Sequence, residues 1–385
     1  MRPLIPFLFS LSLLAGCAAS PPALAPAQAE WGELHFAPPT IAPDAGAIFA
    51  LSDEMRAYLQ GEIASQARTK GPRRALYDAL YSTRQLKVKY DDSLTRTAAQ
   101  AFAARQGNCL SLLIMTAALA REMGLDVQYR SVQIDPSWSR GDALYFVSGH
   151  VNITLGRQFG EAGRSTSPGM TIDFLPPGDT EGQRTSDIGE ATVRAMYFNN
   201  RAAELLGADH VDDAYWWARA AVAADPAFDG AANTLGVVLR RHGDLQAARR
   251  VFAQLLARTP DDVLVMSNLA QTLAALGERA EAARLQARLA VLQPQPPFYY
   301  FEQGLAAMAR RDYPQAKNLF QRELARDPDY HLFHFWLAQA ELRLGDAAQA
   351  DHQLELAMNH STSPRDASIY AAKRDHLREQ LRSAQ

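Results

Sequence analysis

Apolar and polar positions follow three different rhythms along the chain. Between about residues 193 and 362, apolar residues recur at helical spacing in paired runs, and each pair closes on a proline: Pro226, Pro260, Pro294 and Pro328, spaced every 34 residues. In "NTLGVVLRRHGDLQAARRVFAQLLARTPDD" the pattern is carried by Leu235, Gly236, Gly243, Ala248, Phe252 and Pro260. Gly236 and Ala248 let two helices approach closely, Gly243 turns the chain between them, and Pro260 stops the second. Leu269, Ala270, Gly277, Ala282 and Pro294 repeat the scheme, as do Leu337, Ala338, Gly345 and Ala350. The units beginning near Ala195 and Pro297 are looser, and in the latter Arg311 replaces the turn glycine. A more polar helix over 363–385 is predicted to cap the exposed end.

Residues 46–192 have another pattern. "DEMRAYLQGEIASQAR", "GPRRALYDALYS" and "RTAAQAFAARQGN" predict short amphipathic helices, and "LSLLIMTAALAREMGL" a helix buried nearly all round. "DVQYRSVQI", "ALYFVSGHVNITL" and "GMTIDFLP" then read as strands, β-branched or aromatic and bounded by Gly, Asp or Pro. Helices followed by antiparallel strands predict an α+β domain.

The first 45 residues fit neither pattern. "MRPLIPFLFSLSLLAGC" has one charge, Arg2, then an apolar run of signal-peptide length, and small residues before Cys17; "AASPPALAPAQAEWGELHFAPPTIAPDAG" is Ala- and Pro-rich and reads as a tether over 17–45. The start resembles a bacterial lipoprotein signal. That resemblance implies cleavage after residue 16, lipid on Cys17, and, from Ala18, the periplasmic face of the outer membrane in the cell envelope. An ordinary secretory signal cleaved at "ALA" or "AQA" is the alternative. No later apolar run approaches membrane-spanning length. The net charge of −3, with both signs interspersed, offers no basic stripe and argues against a nucleic-acid partner.

With Cys17 acylated, Cys109 is a lone thiol in an oxidising compartment, which asks for a reason; a buried structural cysteine is the bland one and nucleophilic chemistry the other. Cys109 falls where the polar "RQGN" turn meets the apolar helix, so the helix dipole and free amides favour a thiolate. His150 lies in one predicted strand and Asp173 in the next, so antiparallel pairing can set them side by side as base and orienting acid. Through "GNCLSLLIMTAALAREMGLDVQYRSV", "GHVNITL" and "TIDFLP", this segment resembles the bacterial transglutaminase-like, papain-like cysteine superfamily. The 34-residue units resemble tetratricopeptide repeats, five of them.

The resemblances together imply a transglutaminase-like α+β domain followed by an all-α tetratricopeptide-repeat solenoid. Cys109 would attack an amide or ester carbonyl, His150 shuttle the proton and Asp173 orient the imidazole. The Cys109 amide and, by analogy, Gln106 would stabilise the oxyanion. Peptidase or amidase and acyltransferase remain equally open. The solenoid would bind a protein or peptide partner or substrate; the alternative is a catalytically idle fold in a scaffold or assembly lipoprotein. Leu110 departs from the aromatic or small residue that many relatives carry after the nucleophile. Without a phosphate loop, H-E-x-x-H or paired C-x-x-C, no cofactor or metal is expected. His331 and His334, a helical turn apart, read as repeat-helix surface, and "GRQFGEAGRSTSPG" as a flap or solvated loop.

Overall fold

A computed structural model describes residues 35–82, 86–141, 144–156, 158–159, 165–167, 169–174 and 183–383. The signal segment, Cys17, the tether up to residue 34 and half of the 156–169 loop lie outside the described residues.

The N-terminal helices are α1 (Asp53–Tyr58), α2 (Ala64–Lys70) and α3 (Pro72–Tyr81). The first two were expected as one amphipathic helix; a π-helical turn, Leu59–Ile63, joins them. A short parallel pair not foreseen, β1 (Lys89–Tyr90) with β2 (Gln106–Gly107), brackets α4 (Ala98–Ala104), whose capping box is Thr97 with Gln100. Helix α5 (Cys109–Glu122) is buried along almost its whole length. It is followed by β3 (Val127–Gly141), β4 (Leu144–Leu155), the small hairpin β5 (Gln158–Phe159) and β6 (Ser165–Ser167), β7 (Met170–Ile172) and β8 (Arg184–Ile188). The main sheet runs β7-β4-β3-β8, all antiparallel. Val151, Ile153 and Leu155 of β4 join one core with Leu112, Leu113 and Ile114 of α5.

Eleven helices follow among the described residues: α6 (Glu190–Gly207), α7 (Val211–Ala224), α8 (Asp229–His242), α9 (Leu245–Arg258), α10 (Val263–Ala275), α11 (Arg279–Leu292), α12 (Tyr299–Ala309), α13 (Tyr313–Leu324), α14 (His331–Arg343), α15 (Ala347–His360) and α16 (Pro364–Ser383). They form five hairpins and a terminal helix. The turn of each hairpin holds one left-handed residue at the same phase: Asp209, Gly243, Gly277, Arg311 and Gly345, with φ of 62°, 104°, 82°, 62° and 84°. Arg311 therefore keeps the turn geometry that its sequence seemed to lack. A Cβ on Gly236 would come within 2.6 Å of Phe252, and one on Gly304 within 2.4 Å of Phe320, so both glycines are set by close helix packing. The first hairpin shares a continuous core with α5, through Val193, Tyr197 and Phe198.

Residues 35–45, expected to belong to the tether, are instead fastened to the first two hairpins. The Phe36 ring stacks on Tyr215 at 3.8 Å and on His242 at 4.0 Å. Trp216 Nε1 donates to the Ala37 carbonyl (2.7 Å) and Trp217 Nε1 to that of Ile41 (3.1 Å), while the Ala37 amide donates to Asp212 (3.0 Å).

Candidate functional site

Asn108 starts α5. Its Oδ1 accepts from the Ser111 amide (2.9 Å) and from the Ser111 hydroxyl (2.7 Å), and the first helical i to i−4 bond is made by Leu112 to the Asn108 carbonyl. The amides of Cys109 and Leu110 precede that first bond, which leaves them at the positive end of the helix. Cys109, half-buried and the free cysteine of the described residues, is thus the first residue of a helix whose remainder is locked into the core.

His150 is only 2% exposed and faces Cys109 and Asp173. Its Nε2 lies 2.6 Å from Asp173 Oδ1. Cys109 lies near enough to the same imidazole to favour its protonated form. Burial opposes the imidazolium, but the Asp173 hydrogen bond and the influence of Cys109 outweigh it and raise His150 from 6.5 to about 9. The three predicted residues are therefore brought together in the order thiol, imidazole, carboxylate. Asp173 stands just past β7, not within it, and β4 and β7 are adjacent with Ile153 opposite Ile172, which explains how the acid reaches the base.

Gln106, three residues before Cys109 in β2, is half-buried and paired through its backbone with Lys89. It makes no side-chain hydrogen bond among the described residues.

Several supporting residues carry no sequence signal that would have found them. Asn152, two residues beyond His150 on the same face of β4, donates Nδ2 to Asp173 Oδ2 at 3.1 Å. The Tyr81 hydroxyl, arriving from the end of α3, donates to the Asp173 carbonyl at 2.7 Å. Burial, then the neighbouring Tyr77 and Asp173, push that phenol up to about 12, so it stays a donor. Tyr90 of β1 is close enough to Cys109 for the sulfur's charge to add to burial in raising its phenol. Behind the thiol, Asn108 Nδ2 donates to Thr95 Oγ1 (2.9 Å), and the Thr95 amide donates to Glu204 of α6 (2.6 Å).

The two helix histidines are otherwise engaged. His334 is buried, with Nδ1 on Gln353 and Nε2 on the Pro328 carbonyl, and His331 bonds Tyr370. No group of His, Cys, Asp and Glu suited to a metal occurs among the described residues, and no described helix is long and apolar enough to cross a membrane.

Comparison with known proteins reaches the helical half. The tetratricopeptide repeat family matches residues 233–297 and 301–359. A thermophilic tetratricopeptide-repeat protein of Thermus thermophilus is 19% identical, covering 46% of this chain and 97% of that one with a TM-score of 0.31. YrrB, described as having an unusual peptide-binding site, is 17% identical over 46% of this chain and 92% of its own, with a TM-score of 0.25. MamA AMB-1 is 21% identical over 43% and 90%, also at 0.25. Among curated proteins none matches in sequence. The C-terminal part of the chain is an all-helical solenoid of tetratricopeptide repeats, an architecture that serves as a scaffold for protein interaction.

Proposed function

We propose that this chain is a membrane-tethered cysteine enzyme of the bacterial envelope. In this reading residues 46–192 are a transglutaminase-like domain acting on an amide or ester carbonyl, and the solenoid recruits the protein partner or substrate. The observation that supports it is the contiguous set of Cys109 at a helix N-terminus, His150 beside it, and Asp173 2.6 Å from that imidazole.

The chemistry runs as two acyl transfers. The Cys109 sulfur, its proton held on His150, attacks the carbonyl carbon and forms the C–S bond. The Cys109 amide and Gln106 offer donors to the oxyanion. The C–N or C–O bond breaks, and the imidazolium returns its proton to the leaving amine or alcohol. Water, or an amine in an acyltransferase, then attacks the thioester, gives its proton to His150, and releases the sulfur. Asp173 keeps the imidazole in the useful tautomer throughout. Lipid on Cys17 would hold this machinery at the periplasmic face of the outer membrane.

The test is the rate of iodoacetamide alkylation of the chain without its lipid signal, followed from about pH 4 to about pH 9 beside His150→Ala and Asp173→Asn. Fast labelling well below the free-cysteine range of about 8.5, lost with His150, is the expected result. An ordinary thiol titration indifferent to both substitutions would sink the enzyme reading. A scaffold with an idle site is favoured by the family match, which is confined to the repeats. It predicts that Cys109→Ala leaves the cellular phenotype intact.

A further inference from the structure

Strands β1 and β2 form a parallel ribbon immediately ahead of the nucleophile, and their register decides which side chains start out towards it. Tyr90 pairs with Gly107, two residues before Cys109, and Lys89 pairs with Gln106. The main chain on either side of Tyr90 is pinned: the Lys89 amide donates to the Arg105 carbonyl (3.0 Å) and the Asp91 amide to the Gly107 carbonyl (3.1 Å). Paired residues of neighbouring strands share a face, and successive residues alternate. Gly107 identifies the face in question, because a Cβ there would come within 2.7 Å of the Ser111 Cβ in the first turn of α5. Tyr90 therefore leaves the ribbon on the side of that turn, while Gln106 starts from the other side with Lys89.

The phenol itself adds three observations. Tyr90 is 36% exposed, so its ring is largely covered and yet open to a substrate. Its hydroxyl makes no hydrogen bond among the described residues, whereas that of Tyr81, the other tyrosine of the site, is taken by the Asp173 carbonyl. Burial first, then the charges of Cys109, Asp92 and Asp91, raise the phenol above its ordinary value. The result is a neutral O–H that keeps its proton, stands within reach of the sulfur's charge and has no acceptor of its own.

We propose that Tyr90 is a catalytic residue whose hydroxyl, together with the Cys109 amide, donates to the oxyanion formed when Cys109 attacks a carbonyl. This rests on the enzyme reading above and assigns to it the principal side-chain donor, ahead of Gln106. The hydrogen bond strengthens as negative charge gathers on the carbonyl oxygen and relaxes when the C–N or C–O bond breaks. Tyr90 gives up no proton in this step, and all proton transfer stays with His150.

Two reactions of the same sulfur isolate this role. Acylation by p-nitrophenyl acetate passes through an oxyanion, whereas alkylation by iodoacetamide displaces iodide and forms none. Both rates are measured on the full chain for the parent, Tyr90→Phe, Gln106→Ala and His150→Ala, acylation by p-nitrophenolate release with Cys109→Ala as the blank, and alkylation by intact mass. Tyr90→Phe should acylate about 10- to 100-fold more slowly, the low side of what one oxyanion donor supplies because the ester is activated, while its alkylation changes by less than about twofold and its melting temperature matches the parent. Gln106→Ala should lose less. Equal acylation of Tyr90→Phe and the parent overturns the proposal, as does a larger loss in Gln106→Ala. Equal slowing of both reactions in Tyr90→Phe also overturns it and assigns the hydroxyl to the thiolate. If both reactions ignore His150→Ala, the enzyme reading fails, while a Tyr90 loss confined to acylation still sets the hydroxyl at the carbonyl oxygen. A parent that releases no more p-nitrophenolate than Cys109→Ala overturns both.

Discussion

Replacing Asp173 by Asn should release the proton from His150. In the parent chain burial lowers the imidazole, and Asp173 together with Cys109 raises it to about 9 against an ordinary 6.5. Asn keeps the shape of the 2.6 Å contact but loses the charge, so Cys109 alone is left to oppose burial. The midpoint should fall by roughly 2 units, equivalent to about 3 kcal/mol between the two protonation states. The assay is a ¹³C-histidine NMR titration of the full chain, with His150 assigned among the nine histidines by its absence in His150→Gln. A Cys109→Ala sample apportions the remainder. The shift also fixes the sign of a stability effect. A base raised in the folded state contributes fully below about pH 6.5, and that contribution is lost as pH rises through about 9. Urea unfolding of the parent should therefore weaken across this window, and Asp173→Asn should lack that slope. An Asp173→Asn midpoint still near 9 would refute the argument and assign the proton to Cys109 alone.

Gly304→Ala forces a Cβ to 2.4 Å from Phe320 in a packed core and should cost about 1–3 kcal/mol in urea denaturation. Arg311→Gly removes a left-handed side-chain-bearing residue at φ 62° and should gain about 0.5–1 kcal/mol, read as a higher melting temperature. Asn108→Ala strips the cap from the thiol helix and leaves Thr95 and Ser111 without their partner, so a loss of at least about 1 kcal/mol is expected by the same denaturation. Trp216→Ala removes the donor that holds the Ala37 carbonyl, and limited proteolysis should cut within residues 35–45 several-fold faster.

The repeat phase was legible because a solenoid writes its packing into the chain at a fixed period. Three of the five left-handed turns carry the glycine that advertises them; Asp209 and Arg311 occupy the same geometry without it, which only the spacing betrays. His150 and Asp173 could be paired on paper because their strands lie next to each other in both chain and sheet. Tyr81 could not be foreseen at Asp173, since α3 reaches it across 92 residues. The strand Arg184–Ile188 escaped notice for a different reason: its first four residues are exposed and it pairs with β3 at the sheet edge, so burial imposed no alternation on its sequence. The fastening of residues 35–45 was equally silent, because a proline-rich run with one phenylalanine has no period from which to infer a partner near residue 215.

That fastening decides where mechanical load enters the molecule. Tension applied upstream of residue 35 meets the Phe36 stack and the two tryptophan hydrogen bonds before it reaches α1. Those contacts hand the force to α7, in the first repeat, so a pull from upstream of residue 35 is borne by the solenoid and bypasses the helix that carries Cys109. The thiol, the imidazole and the carboxylate are in this sense mounted off the load path, like an instrument hung beside the cable and not along it.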